Sequence, residues 1–181
     1  MFELPARRFR LIALDAENLR SSLADAALLE RNLRLREGHA AVADELRGPV
    51  QQMLDGVLRD PEHYLWHTHW LLVLNRPRAV AGGLCFKGPP DANGEVEIGY
   101  GTEAGYRNRG LATAAVRVLC RWALRQPGVT AVLAETEKDN LPSQRVLEKA
   151  GFHPFRETDA MRWWASSGIA RDHQSQGGTH V

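Results

Sequence analysis

The amino-acid sequence predicts an α+β domain built on a mixed, mostly antiparallel sheet, and three features carry that expectation. Between residues 64 and 102, aromatic and aliphatic runs alternate with turn-forming stretches, the pattern of an antiparallel meander. From Leu111 the apolar period becomes helical, and a β-branched and alanine-rich run follows at residues 129–136. Strand, helix and strand in that order form a crossover, so at least one strand pair is parallel.

The elements follow in chain order. Residues 10–14 read as a first strand, and Asp15 is placed to cap a helix that carries Leu19 and Leu23 on one face. A second helical region follows His39. It is expected to break at Gly48-Pro49, where Pro49 starts a new helix with Met53, Leu54, Val57 and Leu58 at helical spacing. Asp60-Pro61 ends it. Residues 64–74 read as a strand, NRPR as a turn, residues 79–86 as a second strand, KGPPDANG as a loop and Glu95–Thr102 as a third strand. Leu111, Ala115, Val118, Leu119 and Trp122 share one helical face, and Gln126-Pro127-Gly128 stops that helix. After the buried strand at 129–136 comes a helix over 142–150, with Gly151 just past its end. Residues 152–156 and 160–164 are the last strand candidates. No internal repeat is present.

The chain has 181 residues, 44% of them hydrophobic and 25% charged, which suits a single domain with a sizeable core. We assign that domain to residues 1–165 and expect a disordered tail at 166–181, because SGIARDHQSQGGTHV is polar and glycine-rich. A formal net charge of +1 gives no global attraction to nucleic acid or to an anionic membrane. The two cysteines, Cys85 and Cys120, have no metal-ligand spacing and suggest no disulfide framework, in keeping with a reducing cytoplasm. The opening MFELPARRFR lacks the apolar stretch of a signal peptide, and no apolar run is long enough to span a bilayer.

The stretch YRNRGLATAA, residues 106–115, lies between a strand and a helix. The first N–H groups of a helix lack intrahelical partners and carry the positive end of its dipole. Gly110 lets a ligand approach the backbone, Leu111, Ala112 and Ala115 keep the first turn slim, and Arg107 and Arg109 add charge at the rim. The pattern suits a phosphate or pyrophosphate, and equally an ordinary helix start with solvated arginines. A Gly-Lys-Ser/Thr ending is absent, and a three-glycine dinucleotide fingerprint is not formed.

Arg107, Gly110 and Ala112 make an Arg-x-x-Gly-x-Ala pattern that resembles motif A of the GNAT superfamily of acetyl-CoA-dependent N-acetyltransferases. The segment EVEIGYGTEAGYRNRGLATAA, followed by ETEKDNLPSQRVLEKAGF, is similar to the pair found in the branch that acetylates ribosomal protein N-termini. The resemblance is strong over residues 95–155 and weak before Trp66. It implies a GNAT fold, in which a splayed parallel strand pair interrupts a mostly antiparallel sheet flanked by helices. It further implies that backbone N–H groups of Arg107, Asn108, Arg109, Gly110, Leu111 and Ala112 hold the coenzyme A pyrophosphate. Tyr100, Gly101 and Thr102 would pair with the pantetheine arm, and a backbone N–H there would polarise the thioester carbonyl. Asn140 would bond the pantetheine amides, and Ser143 would protonate the leaving thiolate. Many members carry a tyrosine near Ser143 for that task; the segment here has none. Asn140 and Ser143 also suit plain helix capping.

Acetyl transfer requires a neutral amine, so a general base helps. Glu97 is the candidate, with Glu95 on the same strand face and Glu135 as a third carboxylate. The histidines of WHTHW, with His63 nearby, lack the further ligands a metal site needs and are expected at the acceptor groove. Cys85 as an acyl carrier would need a paired base, whereas the resemblance implies direct transfer in a ternary complex. Trp163-Trp164 is expected to send one ring inward and one outward, and an outward ring would suit a homodimer edge or a substrate wall. The sequence therefore points to an enzyme that moves an acetyl group from acetyl-CoA to a primary amine, on a protein N-terminus or a small molecule. A coenzyme-A-binding module without catalysis and a general nucleotide binder are the competing readings.

Overall fold

A computed structural model describes residues 1–36, 40 and 42–166. Its strands are β1 (Phe2–Pro5), β2 (Phe9–Ala13), β3 (His69–Leu74), β4 (Val80–Phe86), β5 (Glu95–Thr102), β6 (Ala131–Glu137), β7 (Phe152–Glu157) and β8 (Met161–Ser166). Its helices are α1 (Ala16–Ala24), α2 (Ala26–Leu33), α3 (Asp44–Arg59), α4 (Leu111–Ala123) and α5 (Leu141–Ala150). The eight strands form one sheet in the order β1-β2-β3-β4-β5-β6-β8-β7. Only β5 and β6 pair in parallel; every other neighbour is antiparallel. This is the α+β architecture the sequence predicts, with α4 as the crossover.

Strand alternation sends apolar residues to two cores on opposite faces of the sheet. One core joins Leu72, Leu84, Ile98 and Val132 to Ala115 and Leu119 of α4 and to Leu147 of α5. The other joins Ile12, Leu71 and Val73 to Leu19, Leu29, Val50 and Leu54 of the first three helices. The first core centres on Trp122, whose ring lies 4.9 Å from Trp66, 5.2 Å from Trp70, 5.8 Å from Phe86 and 6.1 Å from Phe2.

Several elements differ from the sequence reading, each for a physical reason. The strand β1 lies outside the expected set; FELP is too short to show a period, and it forms because Phe2 and Leu4 pack on the first core. The helix after Asp15 ends at Ala24, and α2, which lies outside the expected set, starts under Asp25, whose side chain accepts from Leu28 N at 3.0 Å. The expected break at Gly48-Pro49 does not occur. Pro49 lies inside α3, near its start, and the buried residues Val50, Leu54 and Val57 hold the helix through it. Packing of an amphipathic face outweighs one missing backbone bond. Residues 64–66 form a short 3-10 turn rather than strand, so that Trp66 and Trp70 reach the same core; Trp70 Nε1 donates to the Leu65 carbonyl at 3.1 Å. The last strand runs through Ser166, whose hydroxyl accepts from Val132 N at 3.1 Å. Residues 167–181, the rest of the expected tail, lie outside the described residues, as do residues 37–39 and 41 ahead of α3.

Since Trp122 alone touches four other rings of the first core, Trp122→Ala should lower the unfolding free energy by about 3 kcal/mol, measured by urea denaturation.

Candidate functional site

The site begins where the parallel pair comes apart. β5 and β6 are in register only from Glu95↔Ala131 to Ile98↔Ala134. Beyond that point β5 stays with β4, from Phe86↔Ile98 to Gly82↔Thr102, and β6 stays with β8, from Leu133↔Ala165 to Glu137↔Met161. Each strand follows its antiparallel neighbour, so a wedge opens between residues 99–102 and residues 135–137. Tyr100, Gly101 and Thr102 form one lip, and the β5 edge there has no strand beside it.

The chain leaves Thr102 through a short turn, Ala104–Tyr106, and reaches α4 with two left-handed residues, Asn108 at φ 59° and Gly110 at φ 72°. The helices α1, α2 and α5 start under the side chains of Asp15, Asp25 and Asn140, whereas α3, after Ala43, and α4, on Gly110, start with no side-chain cap. A Cβ at Gly110 would meet nothing within 4 Å. Buried Leu111 anchors the helix start, while residues 107–110 are exposed. Arg107 Nε donates to the Thr102 carbonyl at 3.2 Å, and the Arg109 guanidinium lies 5.4 Å from the Tyr106 ring centroid. Arg107, Asn108, Arg109, Gly110, Leu111 and Ala112 thus form one turn beside the wedge; the Arg107 N–H donates to the Ala104 carbonyl at 3.4 Å, and the helix-start donors after it face an anionic ligand. The residues present fit the pyrophosphate of a coenzyme.

Across the wedge, Asn140 Oδ1 accepts from Ser143 N at 3.2 Å, so the helix-capping role is real. Ser143 Oγ lies 2.6 Å from the Tyr100 hydroxyl, which also donates to the Ser143 carbonyl at 3.0 Å. Here the structure supplies what the local sequence lacked. A tyrosine does stand beside Ser143, but it comes from β5, 43 positions earlier. Burial pushes the Tyr100 hydroxyl up to about 12, against the opposing pull of its bond to Ser143. It therefore stays protonated at neutral pH.

Glu95 and Glu97 point to the opposite sheet face from Val96 and Ile98. Glu97 does not pair with Glu95. Instead Lys87, just past β4, places its ammonium 2.5 Å from both Glu97 Oε1 and Glu135 Oε1. Only the Glu135 contact has the alignment of a hydrogen bond; the Glu97 contact is ionic, and that oxygen is otherwise buried without a donor. Burial works against the Lys87 charge, but the two carboxylates outweigh it and raise its pKa.

On the same face a cleft of about 1590 Å³ runs from Arg107 and Arg109, past Tyr100, Gly101 and Thr102, to His69 and Cys85, with α3 as its far wall. Gly83 makes room for the histidine: a Cβ there would collide with His69 Nε2. His69 and Cys85 are cross-strand partners. Burial pushes the imidazole down to about 4 and the thiol up, the reverse of what a thiolate–imidazolium pair would show. His63 and His67 lie outside this cleft against Asp60, at 2.9 Å and 3.4 Å. Trp164 is buried and donates to Thr136 Oγ1 at 3.0 Å, while Trp163 is half-exposed under the Arg156 guanidinium, 3.9 Å from its centroid.

Residues 8–153 match the acetyltransferase (GNAT) domain family. Two proteins of Bacillus subtilis (strain 168) are similar in sequence. The uncharacterized N-acetyltransferase YjdG is 41% identical over 95 residues, which cover 52% of this chain and 56% of that protein. The probable N-acetyltransferase YjcK is 36% identical over 77 residues, 42% of this chain and 41% of that protein. The match therefore spans 56% and 41% of the length of these relatives. Among solved structures, the ribosomal-protein-S5-alanine acetyltransferase of Vibrio fischeri superposes with a TM-score of 0.68 at 13% identity, covering 94% of this chain and 98% of that one. RimL, a ribosomal L7/L12 alpha-N-protein acetyltransferase in complex with coenzyme A, gives 0.65 at 16% identity, covering 91% and 97%. At such identities these two likenesses establish the shared fold.

The state of Cys85 is directly measurable. Its alkylation by iodoacetamide at pH 7.5 should run at least about tenfold slower than that of free cysteine, as read by mass spectrometry; a faster rate would mean an activated thiolate.

Proposed function

The chain belongs to the GNAT acetyltransferase family, and from that premise we propose that it moves an acetyl group from acetyl-CoA directly to a primary amine. The observation that carries this reading is the wedge between β5 and β6, with an uncapped, glycine-led helix start on one side and the Tyr100–Ser143 pair across it. The pyrophosphate sits on the N–H groups of residues 108–112, beside that of Arg107, which the Ala104 carbonyl holds. The pantetheine arm enters the wedge and pairs with the free edge at Tyr100, Gly101 and Thr102, and Asn140 bonds its amides. A backbone N–H of that edge polarises the thioester carbonyl.

The amine nitrogen then attacks the carbonyl carbon. Its proton goes to Glu97, directly or through water, and the C–S bond breaks. The thiolate takes a proton from Ser143, which Tyr100 replenishes while solvent returns a proton to the Tyr100 hydroxyl. Because burial keeps Cys85 a neutral thiol, direct transfer is favoured over an acyl-enzyme. A protein N-terminus is the acceptor we favour, because the RimL neighbour is an alpha-N-protein acetyltransferase.

Calorimetric titration tests the coenzyme site: acetyl-CoA should bind, and ATP should bind at least about tenfold more weakly. Equal binding of the two would overturn the reading. In an assay of thiol release against a panel of amines and N-terminal peptides, Glu97→Gln should lower kcat by about 10²-fold or more. Tyr100→Phe should lower it about tenfold while leaving the fold intact; unchanged turnover in both variants would point to a binding module instead. Since Tyr100 is held up to about 12, the wild-type rate should climb with pH to about 10 as the acceptor amine loses its proton, with no earlier fall from loss of the acid.

A further inference from the structure

Lys87, Glu97 and Glu135 meet where the sheet divides. The Lys87 backbone N donates to the Glu97 carbonyl at 2.8 Å, so the β4–β5 ladder runs one step past the end of β4 and sets these two residues side by side. Glu97 pairs with Leu133 in the short parallel register, and Glu135 lies two residues farther along β6, on the same face. β5 separates β4 from β6, so the lysine stem crosses one strand to reach Glu135. Its ammonium ends 2.5 Å from Oε1 of each carboxylate.

The two contacts are unequal. Glu135 accepts an aligned hydrogen bond, whereas Glu97 Oε1 meets the charge alone and is shut off from solvent without a donor. The Glu97 side chain is still 29% exposed, so its accessible part lies away from Oε1, and Oε2 is not shut off in the same way. A buried carboxylate oxygen is costly unless something compensates it, and here the compensation is the ammonium. Burial works against the Lys87 charge, but the two carboxylates more than offset it, so the ammonium persists at neutral pH. A plain staple between strands would need only the Glu135 bond. The added hold on Glu97 fixes one oxygen of the carboxylate and with it the direction of the other.

We propose that Lys87 is the positioning residue for the base: anchored on Glu135, its ammonium holds Glu97 Oε1 and leaves Oε2 as the oxygen that takes the proton of the acceptor amine. Lys87 itself keeps its three protons throughout. A base must lie within hydrogen-bond reach of the proton it removes, and a small misplacement is costly. Without the ammonium, Oε1 turns toward water and Oε2 leaves its place. The proposal rests on the reading of Glu97 as the base and adds to it the group that aims the carboxylate.

The test is a double-mutant cycle on thiol release from acetyl-CoA, using the amine or N-terminal peptide of the panel that turns over fastest. Lys87→Met should lower kcat about tenfold and leave the KM for acetyl-CoA within about twofold; Lys87→Arg, which keeps the charge, should recover most of the loss. In the Glu97→Gln background, Lys87→Met should change kcat less than about twofold, because a group that acts through Glu97 has nothing left to act on. Should Lys87→Met fail to fold, Glu135→Gln, which removes the anchor, takes its place in the cycle. A second readout needs no turnover. The chain has only three lysines, so the Lys87 ammonium signal of ¹⁵N-lysine-labelled protein is assigned by its loss in Lys87→Met or, failing that, Lys87→Arg, and it should shift in Glu97→Gln. An unshifted signal would mean that the pair does not form, and the proposal falls. It falls equally if Lys87→Met keeps full kcat, if it costs the same factor with and without Glu97, or if its loss is a rise in the KM for acetyl-CoA, the mark of a strand staple; in each case Glu97 as base still stands. If Glu97→Gln costs nothing, or no member of the panel is acetylated, the reading of the base itself fails and the proposal with it.

Discussion

The whole site depends on a conflict of strand pairing. Parallel β5 and β6 are each bound to an antiparallel neighbour, and the twist of the sheet carries β4–β5 and β6–β8 apart. The pair can satisfy both demands only from Glu95↔Ala131 to Ile98↔Ala134. What remains is a gap in an otherwise continuous sheet, with backbone groups of β5 free to pair with something that is not protein. A sheet that closed this gap would be more stable and would have no site.

Everything near the gap is arranged so that chemistry is left to an incoming ligand. α4 begins without a side-chain acceptor, in contrast to α1, α2 and α5, and its donors stay open. Tyr100 crosses the gap to Ser143 and is kept neutral by burial. Cys85 and His69, adjacent on the cleft floor, are driven by the same burial toward their uncharged forms and do not activate each other.

Charge is handled differently on the two sides. Where Lys87 sits between Glu97 and Glu135, the three are balanced to one net negative charge. Arg7, Arg8, Arg76, Arg107 and Arg109, which line the cleft, have no carboxylate partner among the described residues, a local excess of charge that the net charge of +1 conceals.

By itself the sequence determined the class of the fold, because the order of strands and helices from Glu95 to Glu137 leaves a right-handed crossover as the one reasonable path. It also marked Arg107, Gly110 and Ala112 as a candidate anion turn, since the three lie within one turn and local spacing is visible in a chain. Asp15, Asn140 and Gly151 were legible for the same reason: a cap acts on its neighbours. Short or irregular elements were not legible. β1 shows no period of its own, and α3 passes through Pro49 because of a buried face that only the folded protein supplies. Tertiary structure alone decided which residues meet across distance: Tyr100 with Ser143, Lys87 with Glu97 and Glu135, Arg8 with the start of α4. Such pairings follow from sheet order and register, which bring together residues far apart along the chain, and no spacing rule records them.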